Sequence, residues 1–423
     1  MTTPTVWFLA TVLSPAFANG QTTHVWITRE ARFRLPTGDL HDLLHRPDLE
    51  PMLVHGTMFP DGGYPLGHPY GETAHWEPFQ TRYLEWIKAT YPLPYGDDAA
   101  PHIAFLMGLG SHGLADQTFD AFYLNRSQLY DADLGWAAGG SMDEATDFKW
   151  AALTGAQDVP EQWLPDDVLV SLFAEAGVEV DADTLDEGQG LLRLAIGAVG
   201  AAAAAGGDLT HYEDQFPWAM SNLENTALPG VPDYEADVIA SYWLELWDRL
   251  HSRAGAELID RTWPPDGGYG LSTDAESPDA RVSIIFKQGL YGADLTPDTI
   301  TVADASGTDL PVDIWLYYGN DSHIVHLVPH TDWPTDAWLT VTIAAGLPTR
   351  TGAWLDQDHI FQVSTAAPPA DTGTPTDNTP GSPDSSQPKA RCGCASTSPA
   401  GSGWLALGLL GLVVGRRTSE RSA

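Results

Sequence analysis

The segment FLMGLGSHGLADQTFDAFYL, residues 105–124, is apolar along most of its length, yet His112, Asp116 and Asp120 recur within it at four-residue intervals. Residues four apart on a helix lie one above another on the same face, so an imidazole and two carboxylates would form one row. Such a row can hold a metal, because zinc takes imidazole nitrogen and carboxylate oxygen, or it can be a polar stripe turned to solvent. Asp143 and Asp147 in SMDEATDF repeat the interval and supply a second pair of carboxylates that could face the first row. His24 in THVWITREA, Asp61 in FPDGGYP and His75 in AHWEPF are further ligand-type residues in apolar company. Closely spaced metal ions need several carboxylates to offset their charge, and this set provides them. Carboxylates at i,i+4 are nevertheless common in so acidic a chain, and from the residues alone the metal site and the solvated stripe stand level.

The elements that would position these residues are helical. AHWEPFQTRYLEWIKATY places Trp76, Phe79, Tyr83, Trp86 and Ile87 at helical intervals, and the stretches 101–124, 142–153, 185–205 and 234–251 show the same period. The tract GAVGAAAAAGG is expected to let helices approach closely. After TWPPDGGYGLSTDAESPDA the period changes: RVSIIF, TITVAD, VDIWLYY, HIVHLVP, WLTVTIA and HIFQVST alternate and are separated by turn residues, which predicts a small all-β sandwich. Its strand pattern and closing GAWLDQDHIFQVST resemble bacterial Ig-like modules. His323, His326 and His330 show no metal spacing on one strand face and are expected at the surface.

At 423 residues the chain is long enough for two domains and tails. With 20 Lys and Arg against 57 Asp and Glu, its net charge of −37 repels nucleic acid and anionic surfaces. The start of the chain carries an apolar run, Val6 to Leu13, and an Ala16-Phe17-Ala18 triplet, a secretory signal pattern whose cleavage would leave Asn19 first. Cys392 and Cys394 fall in the tail, so the folded regions use no disulfide. The tail combines a Pro, Thr, Asp, Ser and Gly-rich spacer with RCGCAS, the short apolar run WLALGLLGLVVG and RRTSERSA. It resembles a myxobacterial-type sorting signal, which implies anchoring at the cell surface or outer membrane, with the segment associated with membrane before or without processing. The expected organisation is a signal peptide at 1–18, a helical domain at 19–262, a linker at 263–276, the β-sandwich at 277–366, a disordered linker at 367–391 and the sorting segment at 392–423.

THVWITREA, FPDGGYP, AHWEPF, YPLPYGDD and AFLMGLGSHGLADQTFD stand in the order and approximate spacing of the zinc-dependent phospholipase C family, and are most similar to its glycosylphosphatidylinositol-specific phospholipase D branch. The resemblance covers about His24 to Asp147 well and the remaining helices loosely. It implies an all-α domain that hydrolyses phosphodiesters of phospholipids or lipid-anchored substrates with two or three zinc ions. His24, Asp61, His75, His112 and Asp116 match metal ligands of the family, with Asp116 bridging two ions and Asp61 also matching the general base. The family also uses the mature N-terminal residue as a ligand, which here would be Asn19. Two positions depart from the pattern: Asp120 and Asp143 stand where the relatives have histidine, while Asp147 keeps the expected carboxylate. A site made of Asp120, Asp143 and Asp147 is all oxygen and suits Ca2+, Mg2+ or Mn2+ as well as zinc. A nuclease of the related trinuclear-zinc type, or a noncatalytic surface-binding protein with a degenerate site, are the alternatives. His55, His68 and His102, and His211 with Glu213 and Asp214, match no ligand position.

Overall fold

The computed structural model describes residues 20–131, 142–207, 209–253, 257–319 and 322–368. The expected signal peptide, Asn19, both cysteines and the sorting segment lie outside these residues. Thirteen α-helices come first. They are α1 Gln21–Arg34, α2 Asp39–Leu44, α3 Glu50–Met58, α4 Tyr70–His75, α5 Glu77–Thr90, α6 Ala100–Thr118 and α7 Asn125–Tyr130, then α8 Met142–Thr154, α9 Asp166–Glu175, α10 Ala182–Ala204, α11 Thr210–Gln215, α12 Pro217–Asn222 and α13 Pro232–Leu250.

Helix α6 is apolar on every side and is accordingly buried on every side: beyond Pro101 and His102 each of its residues is out of solvent. Its glycines set the distance at which α3 crosses it. A Cβ on Gly108 would stand 2.1 Å from the Leu53 carbonyl oxygen, and one on Gly56 would stand 2.3 Å from that of Phe105. Only glycine permits backbones to touch in this way. Past Thr118 the helix widens into a π-helical turn, Phe119–Leu124, a device often found at functional sites. Asp120 lies in this wider turn, where the period departs from 3.6 residues. The Ala-rich stretch of α10 does not serve close helix packing as expected. It is mostly open to solvent, and only Gly200, against Ala156, and Gly207, against Phe148, meet a neighbour closely.

Seven antiparallel strands follow: β1 Ile259–Trp263, β2 Val282–Phe286, β3 Ile300–Ala303, β4 Val312–Leu316, β5 Ile324–Pro329, β6 Trp338–Ile343 and β7 His359–Ser364. They form one sheet of order β1-β2-β5-β4 and another of order β3-β6-β7. Inward residues of both sheets, among them Val282, Ile284, Val325, Leu339, Val341 and Val363, share one apolar core. Strand β1 was not anticipated. It lies ahead of the expected boundary at 277, and its bulged pairing with β2 leaves it without a clear alternation of apolar residues.

Strand β2 is buried along its whole length, because its other face meets the helices. Ile285 and Ile324 belong to the helical core. The same contact overturns the expectation that His323 and His326 are surface residues: they are 2% and 1% exposed, against Tyr242 and Phe122 respectively, and only His330 is open. Burial, with Arg281 and Arg126 nearby, pushes the His326 imidazole down to about 3. Polar contacts fix the two regions together. Buried Glu77 accepts from Arg249 Nη1 at 2.8 Å and from the Gly289 amide at 2.7 Å. Gln117 Oε1 accepts from the His323 amide at 2.9 Å, and Arg126 Nε donates to Asp279 at 2.8 Å.

Gly108→Ala is expected to destabilise the protein by about 1–3 kcal/mol through overpacking against α3. Gly197→Ala, on the open face of α10 with nothing within 4 Å of the added methyl, is expected to stabilise it by about 0.5–1 kcal/mol. Urea denaturation of the two variants checks the contrast.

Candidate metal centre

Three helices and the turn after α3 bring five ligand-type side chains to one buried place. His24 comes from α1, Asp61 from a 3-10 turn at Pro60–Leu66, His75 from the end of α4, and His112 and Asp116 from α6. All are buried, from His112 at 0% exposure to Asp116 at 7%. Gly113 makes the convergence possible: a Cβ there would lie 1.9 Å from the His75 carbonyl oxygen, so the end of α4 rests directly on the backbone of α6.

The imidazoles are held from behind. His75 Nδ1 lies 2.7 Å from the Gly71 carbonyl and His112 Nδ1 lies 2.6 Å from that of Thr57. A carbonyl only accepts, so each Nδ1 carries a proton, and each ring turns its Nε2 inward. The two Nε2 atoms are 3.0 Å apart. Around them stand Asp61 Oδ1, at 3.2 Å from His75 and 3.3 Å from His112, and Asp116 Oδ2, at 3.5 and 3.4 Å. His24 stacks on His112 with ring centres 4.0 Å apart, and its Nε2 lies 3.0 Å from Asp116 Oδ1. Neither nitrogen of His24 makes a hydrogen bond, nor does Asp116 Oδ1. Buried polar atoms are almost always hydrogen-bonded, so a buried imidazole and carboxylate that touch at 3.0 Å without a hydrogen bond would suit a cation. Two triads, His24–Asp61–His112 and His75–His112–Asp116, have ligand atoms within 4.8 Å of one another and could hold a metal ion.

The electrostatics agree. Burial disfavours charge on His75, but its bond to Asp61 and the charges of Asp61 and Asp116 prevail and push it up to about 9. His112 moves the other way, lowered by burial and by the neighbouring His24. Burial works to raise Asp61, yet His112 and His75 outweigh it and hold the carboxyl below its ordinary range. A proton on His75 and a bound cation would compete for the same nitrogens.

The other expected residues are placed differently. Burial and the charge of Asp116 raise Asp120 well above the usual carboxylate range. Its Oδ1 is buried and unpaired while its Oδ2 accepts from the Tyr318 hydroxyl. Asp147 caps α1: the residue before that helix is Gly20, which offers no capping side chain. Asp147 Oδ1 takes its place, accepting from the Thr23 amide at 2.7 Å and the Thr23 hydroxyl at 2.8 Å, while Oδ2 accepts weakly from the Thr22 amide at 3.4 Å. Burial raises Asp147, and these bonds only partly offset it. Asp143 is buried on the same helix. Among the described residues Asp120, Asp143 and Asp147 do not assemble into a triad as tight as the other two.

His55 is buried away from the cluster, with Gln189 at 3.1 Å, and His211 is exposed on α11. Phe79, Phe119 and Phe122 are core residues, whereas Trp76 is half-buried. Gln21, whose amide donates to Asp61 Oδ2, and Tyr318 escaped the sequence reading. Gln21 stands three residues from His24, a helical neighbour on the same face, and that spacing is the signal that could have found it.

No family model matches the chain. Over 124 residues the chain is 32% identical to the phosphatidylinositol-glycan-specific phospholipase D of Mus musculus, covering 26% of this chain and 15% of that protein. It is 39% identical over 80 residues to the Bos taurus protein of the same name, 18% and 10% of the two chains. With that of Dictyostelium discoideum it shares 28% identity over 173 residues, 37% and 18%. The chain thus spans less than a fifth of the length of these relatives, and the partial matches support kinship with phospholipase-type sequences. Among solved structures, the N-terminal part of the bacterial S-layer protein SbsC overlaps 70% of this chain and 79% of that one at 10% identity, with a TM-score of 0.22, a likeness that carries no argument.

Asp147→Ala, compared with wild type in excess chelator, is expected to cost about 1–2 kcal/mol by leaving the first amides of α1 unpaired. Unchanged urea denaturation would show that those amides are satisfied elsewhere.

Proposed function

We propose that the chain is a metal-dependent phosphodiesterase acting on phospholipid or glycosylphosphatidylinositol-type substrates. The observation that carries the reading is the pair of imidazoles whose Nδ1 atoms are committed to carbonyls and whose Nε2 atoms converge beside two carboxylates. His24, Asp61, His75, His112 and Asp116 fit zinc by donor type. Asp116 reaches both sides of the cluster, with Oδ1 at His24 and Oδ2 at His75 and His112, which supports a bridging role. Asp120, Asp143 and Asp147 would serve a third ion, an all-oxygen set that suits Ca2+, Mg2+ or Mn2+ as well as zinc, and a mature Asn19 would be a further ligand of the cluster. The partial similarity to phosphatidylinositol-glycan-specific phospholipase D supports the lipid substrate class.

Bound zinc supplies Lewis acidity toward the phosphodiester oxygens and lowers the pKa of water. The chain's own residues do the rest. Asp61, as a carboxylate, would accept a proton from the attacking water as its oxygen bonds to phosphorus and the ester P–O bond breaks, the electron pair leaving with the alkoxide. The Gln21 amide holds the other Asp61 oxygen, which leaves Oδ1 facing the histidines. The Gly71 and Thr57 carbonyls keep both rings oriented. The same reading extends to a secreted protein held at the cell surface or outer membrane. Its support is the signal-like start and the Cys-Gly-Cys, apolar and Arg-rich tail. Among the described residues no helix is long and apolar enough to cross a membrane. The strand pattern supports an Ig-like assignment for the sheet region.

The full mature chain is expected to carry bound zinc and to hydrolyse phosphatidylcholine or a glycosylphosphatidylinositol-anchored protein until chelator is added. Asp116→Asn is expected to lower kcat/KM on the order of 100-fold or more. Chelator-sensitive cleavage of single-stranded DNA in place of lipid would favour the nuclease, and no metal with no hydrolysis would favour a binding protein. N-terminal sequencing decides whether Asn19 is available as a ligand.

A further inference from the structure

The turn that follows β4 brings a side chain from the sheet region to the metal centre of the helical region. Tyr318 has a φ of +57°, the left-handed conformation that a bulky residue rarely adopts and that persists where surrounding contacts over-determine it. Two contacts hold it there. Its hydroxyl donates to Asp120 Oδ2, and its ring lies 5.1 Å from that of Trp76, the residue next to His75. Trp76 is anchored in turn, with its Nε1 donating to Glu72 at 2.8 Å. Despite these contacts Tyr318 is 44% exposed, so it stands at the mouth of the site and not in its core. The next described residues, Ser322 and His323, donate to Gln117 Oε1 on α6 at 3.1 and 2.9 Å.

The consequence lies at Asp120. With Oδ2 taken by Tyr318, its Oδ1 is left buried and without a hydrogen-bond partner, one helical turn beyond Asp116. Outer partners that orient a ligand govern metal affinity nearly as strongly as the ligand itself. We propose that Tyr318 is a positioning residue of the metal centre, contributed by the sheet region, which fixes Asp120 so that its free oxygen meets a cation, while its ring and that of Trp76 form one wall of the mouth. The helical region by itself is then an incomplete site. This inference rests on the metal-dependent reading of the same site, and it adds a dependence that the reading does not contain.

The test uses the full chain, freed of metal and titrated with Zn2+ by calorimetry and with Mn2+ by electron paramagnetic resonance. The variants are Tyr318→Phe, Tyr318→Ala and, as a control at an exposed position of the strand that precedes the turn, Trp315→Ala. Tyr318→Phe is expected to weaken the weakest-bound ion by about tenfold, to leave the tighter ions as they are, and to melt like wild type in chelator. Tyr318→Ala is expected to do the same and also to raise KM for lipid, because the wall is lost. Trp315→Ala is expected to leave the isotherms unchanged. Wild-type isotherms for Tyr318→Phe, or an equal loss in Trp315→Ala, would overturn the proposal while leaving the metal-dependent reading intact. If the wild type binds ions but hydrolyses no phosphodiester, that reading falls and the isotherms still decide the role of Tyr318. A wild type that binds no ion overturns both.

Discussion

Two imidazoles that face one another across 3.0 Å in a dry interior repel unless positive charge stands between them, and much of the helical region is arranged to keep them there. The repulsion is not relieved by ring rotation, because each Nδ1 is committed to a backbone carbonyl. Nor is it relieved by separation, because Gly113 lets the end of α4 sit on the backbone of α6 and α6 is packed on all sides. Without a metal a proton on His75 answers the need, and although burial opposes it, the bond to Asp61 and the charges of Asp61 and Asp116 drive that ring up to about 9. A cation would also engage His24 and the Asp116 oxygen beside it, neither of which has a hydrogen bond.

Around this centre the two halves of the structure are coupled by buried polar groups. Glu77 is nearly inaccessible and depends on Arg249 from α13 and on the Gly289 amide ahead of the second sheet. Removing one partner of such a pair strands a buried charge, at a cost of about 3–5 kcal/mol. Because Glu77 lies two residues after His75, the same contacts that dock the sheets also brace the end of α4. The coupling through Gln117, beside Asp116, works in the same way on α6. The helical region therefore carries the candidate ligand atoms, and the sheet region packs against the elements that hold them.

Much of this was legible in the sequence where one helix or one short motif carries the signal. The row of His112 and Asp116 could be read from spacing, and the apolar company of His24, Asp61 and His75 marked them as polar residues out of place. Asp120 was harder, because a π-helical turn begins at Phe119 and nothing in the spacing shows where a helix widens. Asp147 reads as a ligand-type carboxylate, yet in the folded chain it caps a helix 124 residues away, a role that only tertiary structure reveals. Strand β5 reads as half-exposed, but its second face is covered by helices, so His323 and His326 are buried. The link between Tyr318 and Asp120 spans 198 residues, and no local pattern announces it.

The most direct test of the central claim is a crystal of the full mature chain measured on both sides of the zinc absorption edge. The account predicts anomalous peaks bounded by His24, Asp61, His75, His112 and Asp116, with zinc about 2.0–2.1 Å from each ligating imidazole nitrogen, and Nδ1 of His75 and His112 still on the Gly71 and Thr57 carbonyls. A map from zinc-saturated protein with no anomalous density at these five residues, and with His75 and His112 held instead by a proton and the two carboxylates, would contradict it.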